Sequence, residues 1–103
     1  MTIDQYLSSL KNDHPPEFSD YLTSLWYEKK GNWSKAHKIA QDIADQDGSW
    51  VHAYLHRVEG DRWNANYWYS RAGRDMPGIS LEEEWKVLLK HFLDRYNQET
   101  ELK

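Results

Sequence analysis

Two histidines four residues apart, His52 and His56, with Glu59 three further on, carry the spacing in this chain best suited to chemistry. At about 100° per residue on a helix, the three side chains fall within about 60° of one another. A His-x3-His pair on one helix face can present two imidazole nitrogens to a divalent transition metal such as zinc, with a carboxylate to complete the set. Without a metal, the same groups suit proton transfer or the grip of a small ligand, with His52 or His56 working against Glu59. A third reading is a buried network with Tyr and Trp partners, because a polar group removed from water needs a hydrogen bond. Spacing alone leaves all three open.

A second constellation is aromatic and cationic. Trp63, Tyr67 and Arg71 recur at every fourth position, followed by Arg74. On a helix they form a stripe about 80° wide, away from Ala65, Trp68, Tyr69 and Ala72. Arg71 can stack on Tyr67 for about 0.5–1 kcal/mol at an exposed site. Trp, Tyr and Arg are the favoured anchors of protein interfaces, which makes the stripe a candidate ligand-binding surface. The alternative is that it packs beneath the last helix or the 73–78 connection. Other chemistry lacks its residues. There is no Cys for thiolate catalysis, and no nucleophile elbow surrounds any Ser. No Walker-type Lys follows Gly60-Asp61, and Asp45, Asp47 and Gly48 copy only part of a calcium loop. The expectation is binding rather than catalysis, with no cofactor unless the histidines take a metal.

The elements that must position these groups are all helical. Thr2 and Gln5 have capping-box spacing and open a helix through Leu10. Pro15-Pro16 suits the first turn of a second helix running to about Lys30, with Phe18, Tyr21, Leu22, Leu25 and Trp26 at helical spacing. After Gly31-Asn32 a third helix spans about Trp33 to Ala44, burying Ala36, Ile39, Ala40 and Ile43. Asp45 to Ser49 is a turn and cap before a fourth helix to about Glu59, and a fifth spans about Arg62 to Ala72. Ser80 and Glu83 form a second capping box. The last helix then gathers Leu81, Trp85, Leu88, Leu89, Phe92, Leu93 and Tyr96 in an arc of about 140°. Glu82-Glu83-Glu84 reads as its solvated start, where the macrodipole favours carboxylates.

The chain has 103 residues, enough for one domain, and a net charge of −4 without any Lys/Arg block. That balance argues against nucleic acid. The N-terminus lacks the basic start and apolar run of a signal peptide, and no segment is apolar enough for a membrane span, so a cytoplasmic protein is expected. Six Trp, seven Tyr and two Phe fill a small core quickly; a surplus would lie at a contact surface, self-association to a homodimer included.

Gly31-Asn32-Trp33-Ser34-Lys35-Ala36 is echoed 29 residues later by Gly60-Asp61-Arg62-Trp63-Asn64-Ala65. A fixed period of this size marks a stacked supersecondary unit. The second unit resembles a tetratricopeptide repeat through Ala53, Gly60-Asp61, Ala65, Tyr69, Ala72 and Pro77. The first follows the pattern more loosely through Ser24, Gly31-Asn32, Ala36, Ala40 and Ile43. The resemblance implies two degenerate helix hairpins, about 17–45 and 46–77, and a capping helix at about 80–98. The period falls short of the usual ~34, so the loop between units is shortened.

In the repeat arrangement, His37, His52 and His56 occupy positions that are usually apolar and packed between helices. The resemblance therefore implies that His37 meets His52, His56 and Glu59 at one seam. It also implies a concave peptide groove, with Phe18, Tyr21, Leu25, Glu28 and Lys29 from one unit and Asp47, Trp50, Tyr54, Arg57 and Val58 from the other. Trp50, Tyr54 and Arg57 are its expected ligand-binding residues, unless a terminal helix fills it. More narrowly, the run His52 to Asp61, with Asn64-Ala65, Tyr67-Trp68-Tyr69 and Arg71 to Arg74, resembles a group of small uncharacterised bacterial proteins. That implies a bacterial source and no mechanism. Two functions from different classes follow: a small binding or adaptor module for a protein or peptide, or a metal- or small-ligand-binding protein centred on the histidines.

Overall fold

Local signals decide where each helix starts. Thr2, Ser19, Asn32, Asp45 and Asp61 each accept a hydrogen bond from the backbone N–H three residues on. Each satisfies a donor that a helix start would otherwise leave free. Ser80 Oγ does the same for Glu83 N at 3.1 Å. In this computed structural model, which describes residues 1–101, the elements are α1 (Ile3–Ser9), α2 (Asp20–Lys29), α3 (Trp33–Gln41), α4 (Gln46–Val58), α5 (Arg62–Arg71) and α6 (Leu81–Glu101). No strand occurs among the described residues, as an all-α chain requires.

The echoed Gly-Asn and Gly-Asp pairs act as stop-and-start signals. Gly31 and Gly60 adopt φ of 87° and 85°, a region open to glycine at no steric cost. The next amides close the finished helix, Asn32 N on Tyr27 O at 2.8 Å and Asp61 N on His56 O at 3.0 Å. The same Asn32 and Asp61 then cap the following helix. Three residues thus separate one helix from the next, which folds α2 onto α3 and α4 onto α5.

Two boundaries differ from expectation. Pro15-Pro16 does not open α2; that helix starts four residues later, because Ser19 supplies a capping oxygen to Leu22 N that proline lacks. Helix α3 stops at Gln41 rather than Ala44, since Asp45 must be extended to cap α4. The resulting link is tight. A Cβ on Gly48 would lie 2.4 Å from the Ile43 carbonyl oxygen, so this approach needs glycine. Ile39 and Ile43, expected in the core, are only half-buried, because α3 is flanked by α2 and α4 alone.

Helix α3 abuts α4, joining the two hairpins, while α6 lies across α2 and α4 with α1 against it. Small residues sit where helix pairs meet: Ala36, Ala53 and Ala65 are fully buried, and Ser24 Oγ donates to Ala36 O at 2.8 Å. The centre is filled by Leu22, Leu25, Trp26, Val51, Leu55, Trp85, Leu88 and Phe92. Tyr6 from α1 caps it, donating to Leu22 O at 2.6 Å. No helix among the described residues is long and apolar enough to cross a membrane.

Candidate metal centre

Helix α4 turns His52 and His56 toward the seam with α3, and α3 brings His37 to meet them. The His37 and His52 Nε2 atoms are 2.9 Å apart. Ring centroids are separated by 4.6 Å (His37–His52), 4.8 Å (His52–His56) and 5.2 Å (His37–His56). One ring nitrogen from each lies within 4.8 Å of one from each of the others. Two indoles wall the cluster. Trp33 stacks on His37 at 4.8 Å and 12°, held by its Nε1 donating to Leu55 O at 2.7 Å; Trp68 of α5 stacks on His52 at 4.0 Å and 18°.

His52 and His56 are buried and His37 is half-buried. Burial, then the neighbouring imidazoles, lowers the His52 pKa from the usual 6.5 to about 4. Burial likewise lowers His37, assisted by His56 and opposed by Glu59. Both rings are therefore neutral at pH 7. A neutral pair at 2.9 Å has one Nε2 donating and the other accepting, so both rings could hold a metal through Nε2 only if the donor's proton moved to its Nδ1. Metal–nitrogen distances of 2.0–2.1 Å in a tetrahedron place ligand nitrogens about 3.3–3.4 Å apart. A metal held by both rings would need the pair to open by about 0.4 Å.

Glu59 takes a different place from the one expected. It is not grouped with all three imidazoles; it lies 2.7 Å from His56 Nδ1, in a neighbouring set with Asp61. A carboxylate accepting the Nδ1 proton fixes the tautomer and leaves Nε2 as the ring nitrogen free to act as ligand. Trp33 and Trp68 went unassigned from sequence. Trp33 was the legible one, since it precedes His37 by four residues on the same helix face.

The expected peptide groove is occupied by the chain's own α6, which corrects the assignment of Trp50, Tyr54 and Arg57 as ligand-binding residues. Trp50 and Tyr54 are buried and Arg57 is half-buried. Trp50 and Arg57 are partnered by Glu84, only 1 % exposed and not the solvated residue expected. It accepts from Arg57 Nη1 at 2.8 Å, Trp50 Nε1 at 3.3 Å and Tyr69 OH at 2.7 Å. Arg57 also donates to Ile79 O. Three further groove positions meet α6 in the same way: Tyr21 stacks on Phe92 at 4.5 Å, Lys29 lies over Trp85, and Asp47 accepts from Arg95 at 2.8 Å. Glu28 sits beside Tyr54, and burial raises its carboxyl pKa.

The second constellation stays at the surface. Trp63 is 77 % exposed and Tyr67 47 %, with Arg71 exposed beside them, so neither α6 nor the 73–78 connection covers the stripe. No protein-family model, no curated protein and no solved structure matches the chain.

Proposed function

We propose that this is a transition-metal-binding protein whose centre is His37, His52 and His56, with Glu59 orienting His56. The convergence of three imidazoles from two helices carries this reading. A structural network would answer the rings with hydroxyls or carbonyls. Among the described residues, His37 and His52 side chains hydrogen-bond only to each other, and their faces meet indole rings. The lowered pKa values favour the same use, since an imidazole must be deprotonated to bind a metal.

The donor set selects the metal class. Three imidazoles without sulfur suit zinc, copper or nickel, and zinc accepts such a set without a geometric demand of its own. Three protein ligands leave a fourth position for water or another small ligand. The half-buried His37 is the side from which it would enter.

Tag-free protein purified without chelator should hold, or take up on titration with Zn²⁺, one equivalent per chain by elemental analysis and calorimetry. The His52→Leu/His56→Leu double variant should keep its helical circular dichroism and lose that equivalent. Wild-type protein that neither carries nor binds metal, or a folded double variant that binds as well, would refute the assignment.

A further inference from the structure

Resting on the metal-centre reading, we propose that Trp33 and Trp68 are its specificity-determining residues: they confine the ion to four ligands and so favour zinc over nickel. The two indoles come from the helices that flank α4, Trp33 from α3 and Trp68 from α5. Neither offers a lone pair to a metal, because the indole N–H is a donor only. Their contribution is the space they take.

That space is fixed from several sides. Trp33 lies face to face with His37, 4.8 Å between centroids and 12° between planes, and meets His56 edge-on at 6.0 Å and 61°. Its Nε1 donates to Leu55 O at 2.7 Å, which pins an α3 side chain to the α4 backbone one residue before His56. Trp68 covers His52 at 4.0 Å and 18°. Two exposed residues of α5 buttress it in turn: Tyr67 meets it edge-on at 5.2 Å, and the Arg71 guanidinium lies 5.4 Å from its ring centroid.

An imidazole holds a metal in its own plane, about 2.0–2.1 Å from the nitrogen. A further ligand rising from that plane at a similar length would stand about 2 Å from an indole stacked 4.0 Å away. Ordinary contact between carbon atoms is about 3.5–4.0 Å, so the indole side of His52 is closed to such a ligand. Trp33 closes one side of His37 in the same way. Three imidazoles and one outside ligand make a tetrahedron, which zinc accepts without a geometric demand of its own. Nickel favours square-planar or tetragonal sets, and the indoles take the room that the added ligands would need.

The test titrates metal-free protein with Co²⁺, whose visible absorption is intense with four ligands and weak with six, and then sets Zn²⁺ against Ni²⁺ in competition. The wild-type Co²⁺ complex should show the intense band, and Zn²⁺ should displace Ni²⁺. Trp68→Ala opens the His52 side; it should still bind metal, weaken the band, and move the Zn²⁺/Ni²⁺ preference about tenfold toward Ni²⁺. Trp68→Phe, which returns a flat face, should restore both. A weak band from Co²⁺ bound to the wild type overturns the proposal whatever the variants do, and leaves the metal centre standing. So does a preference unmoved in folded Trp68→Ala, or affinity for both ions lowered equally. Protein that binds none of the three ions refutes the metal-centre reading itself, and this proposal with it.

Discussion

Toward α6, helix α4 presents Trp50, Tyr54 and Arg57; toward α3 and α5 it presents His52 and His56. Both sides bury polar atoms, and they answer them differently. On the first side the Glu84 charge meets a guanidinium, an indole N–H and a phenol, so its lone pairs are spent within the fold. On the second, imidazoles are paired with one another and walled by Trp33 and Trp68. A satisfied buried charge fixes how α6 lies on α4 and has no capacity left for a ligand. The imidazole cluster instead groups three ring nitrogens within reach of one another, which the proposed metal would use. The contrast separates a structural polar site from the proposed binding one more sharply than burial does, since both are buried.

The widest break in that contrast comes from Glu84→Gln. The change keeps the shape but removes the charge, leaving the Arg57 guanidinium without its carboxylate and turning an amide nitrogen toward donors. Removing one partner of a buried pair costs about 3–5 kcal/mol. Because Arg57 keeps its bond to Ile79 O, about 3 kcal/mol is expected, read as a lowered urea midpoint. Metal binding by the protein that remains folded should be unchanged. A loss under about 1 kcal/mol would show the Glu84 cluster to be dispensable and erase the distinction.

Acid sharpens the comparison from the other side. His52 has a folded pKa of about 4 against 6.5 when unfolded, and His37 moves the same way. Between these values the unfolded chain binds more protons, so stability present above pH 6.5 is lost progressively as pH falls toward 4. Glu28, raised by burial, works in the opposite direction, and Asp45 and Asp61, both lowered, add losses at more acid pH. The histidine part is isolated by difference. In chelator-treated protein, the fall in stability from pH 6.5 to 4.5 should be shallower in His52→Leu than in wild type. Parallel profiles would mean that His52 titrates normally and is not held neutral.

How much of this was legible depends on the range of the signal. The Gly31-Asn32 and Gly60-Asp61 turns are local, with glycine and cap adjacent, so the helix order could be read directly. His52 and His56 share a face because four residues make about one helical turn. Their meeting with His37 depended on α3 packing against α4, which only the repeat resemblance supplied. Glu84 was misread because three successive glutamates at a helix start look alike from sequence. The placement of α6 across α4 selects which one is buried. A weak clue existed, since Glu84 falls about 40° from the edge of the α6 apolar arc. Filling of the groove was legible only as an alternative, because nothing near Trp50 or Tyr54 in sequence encodes the approach of a helix more than 25 residues away.

The smallest expected effect on stability comes from applying the same exchange to the other side. Glu59→Gln leaves an amide oxygen able to accept from His56 Nδ1, so the tautomer can survive while the negative charge does not. Glu59 is exposed at the surface, where such pairs contribute about 0–1 kcal/mol, and the urea midpoint should barely move. The charge matters to a bound metal, because a carboxylate behind an imidazole raises its basicity; losing such a partner typically weakens metal affinity about 10–100-fold. A competition titration with a chromophoric chelator should therefore find one equivalent of Zn²⁺ still bound, about tenfold more weakly. Unchanged affinity would leave Glu59 as a surface neighbour of His56. Loss of the equivalent altogether would make it a ligand in its own right and move the centre toward the His56, Glu59 and Asp61 edge.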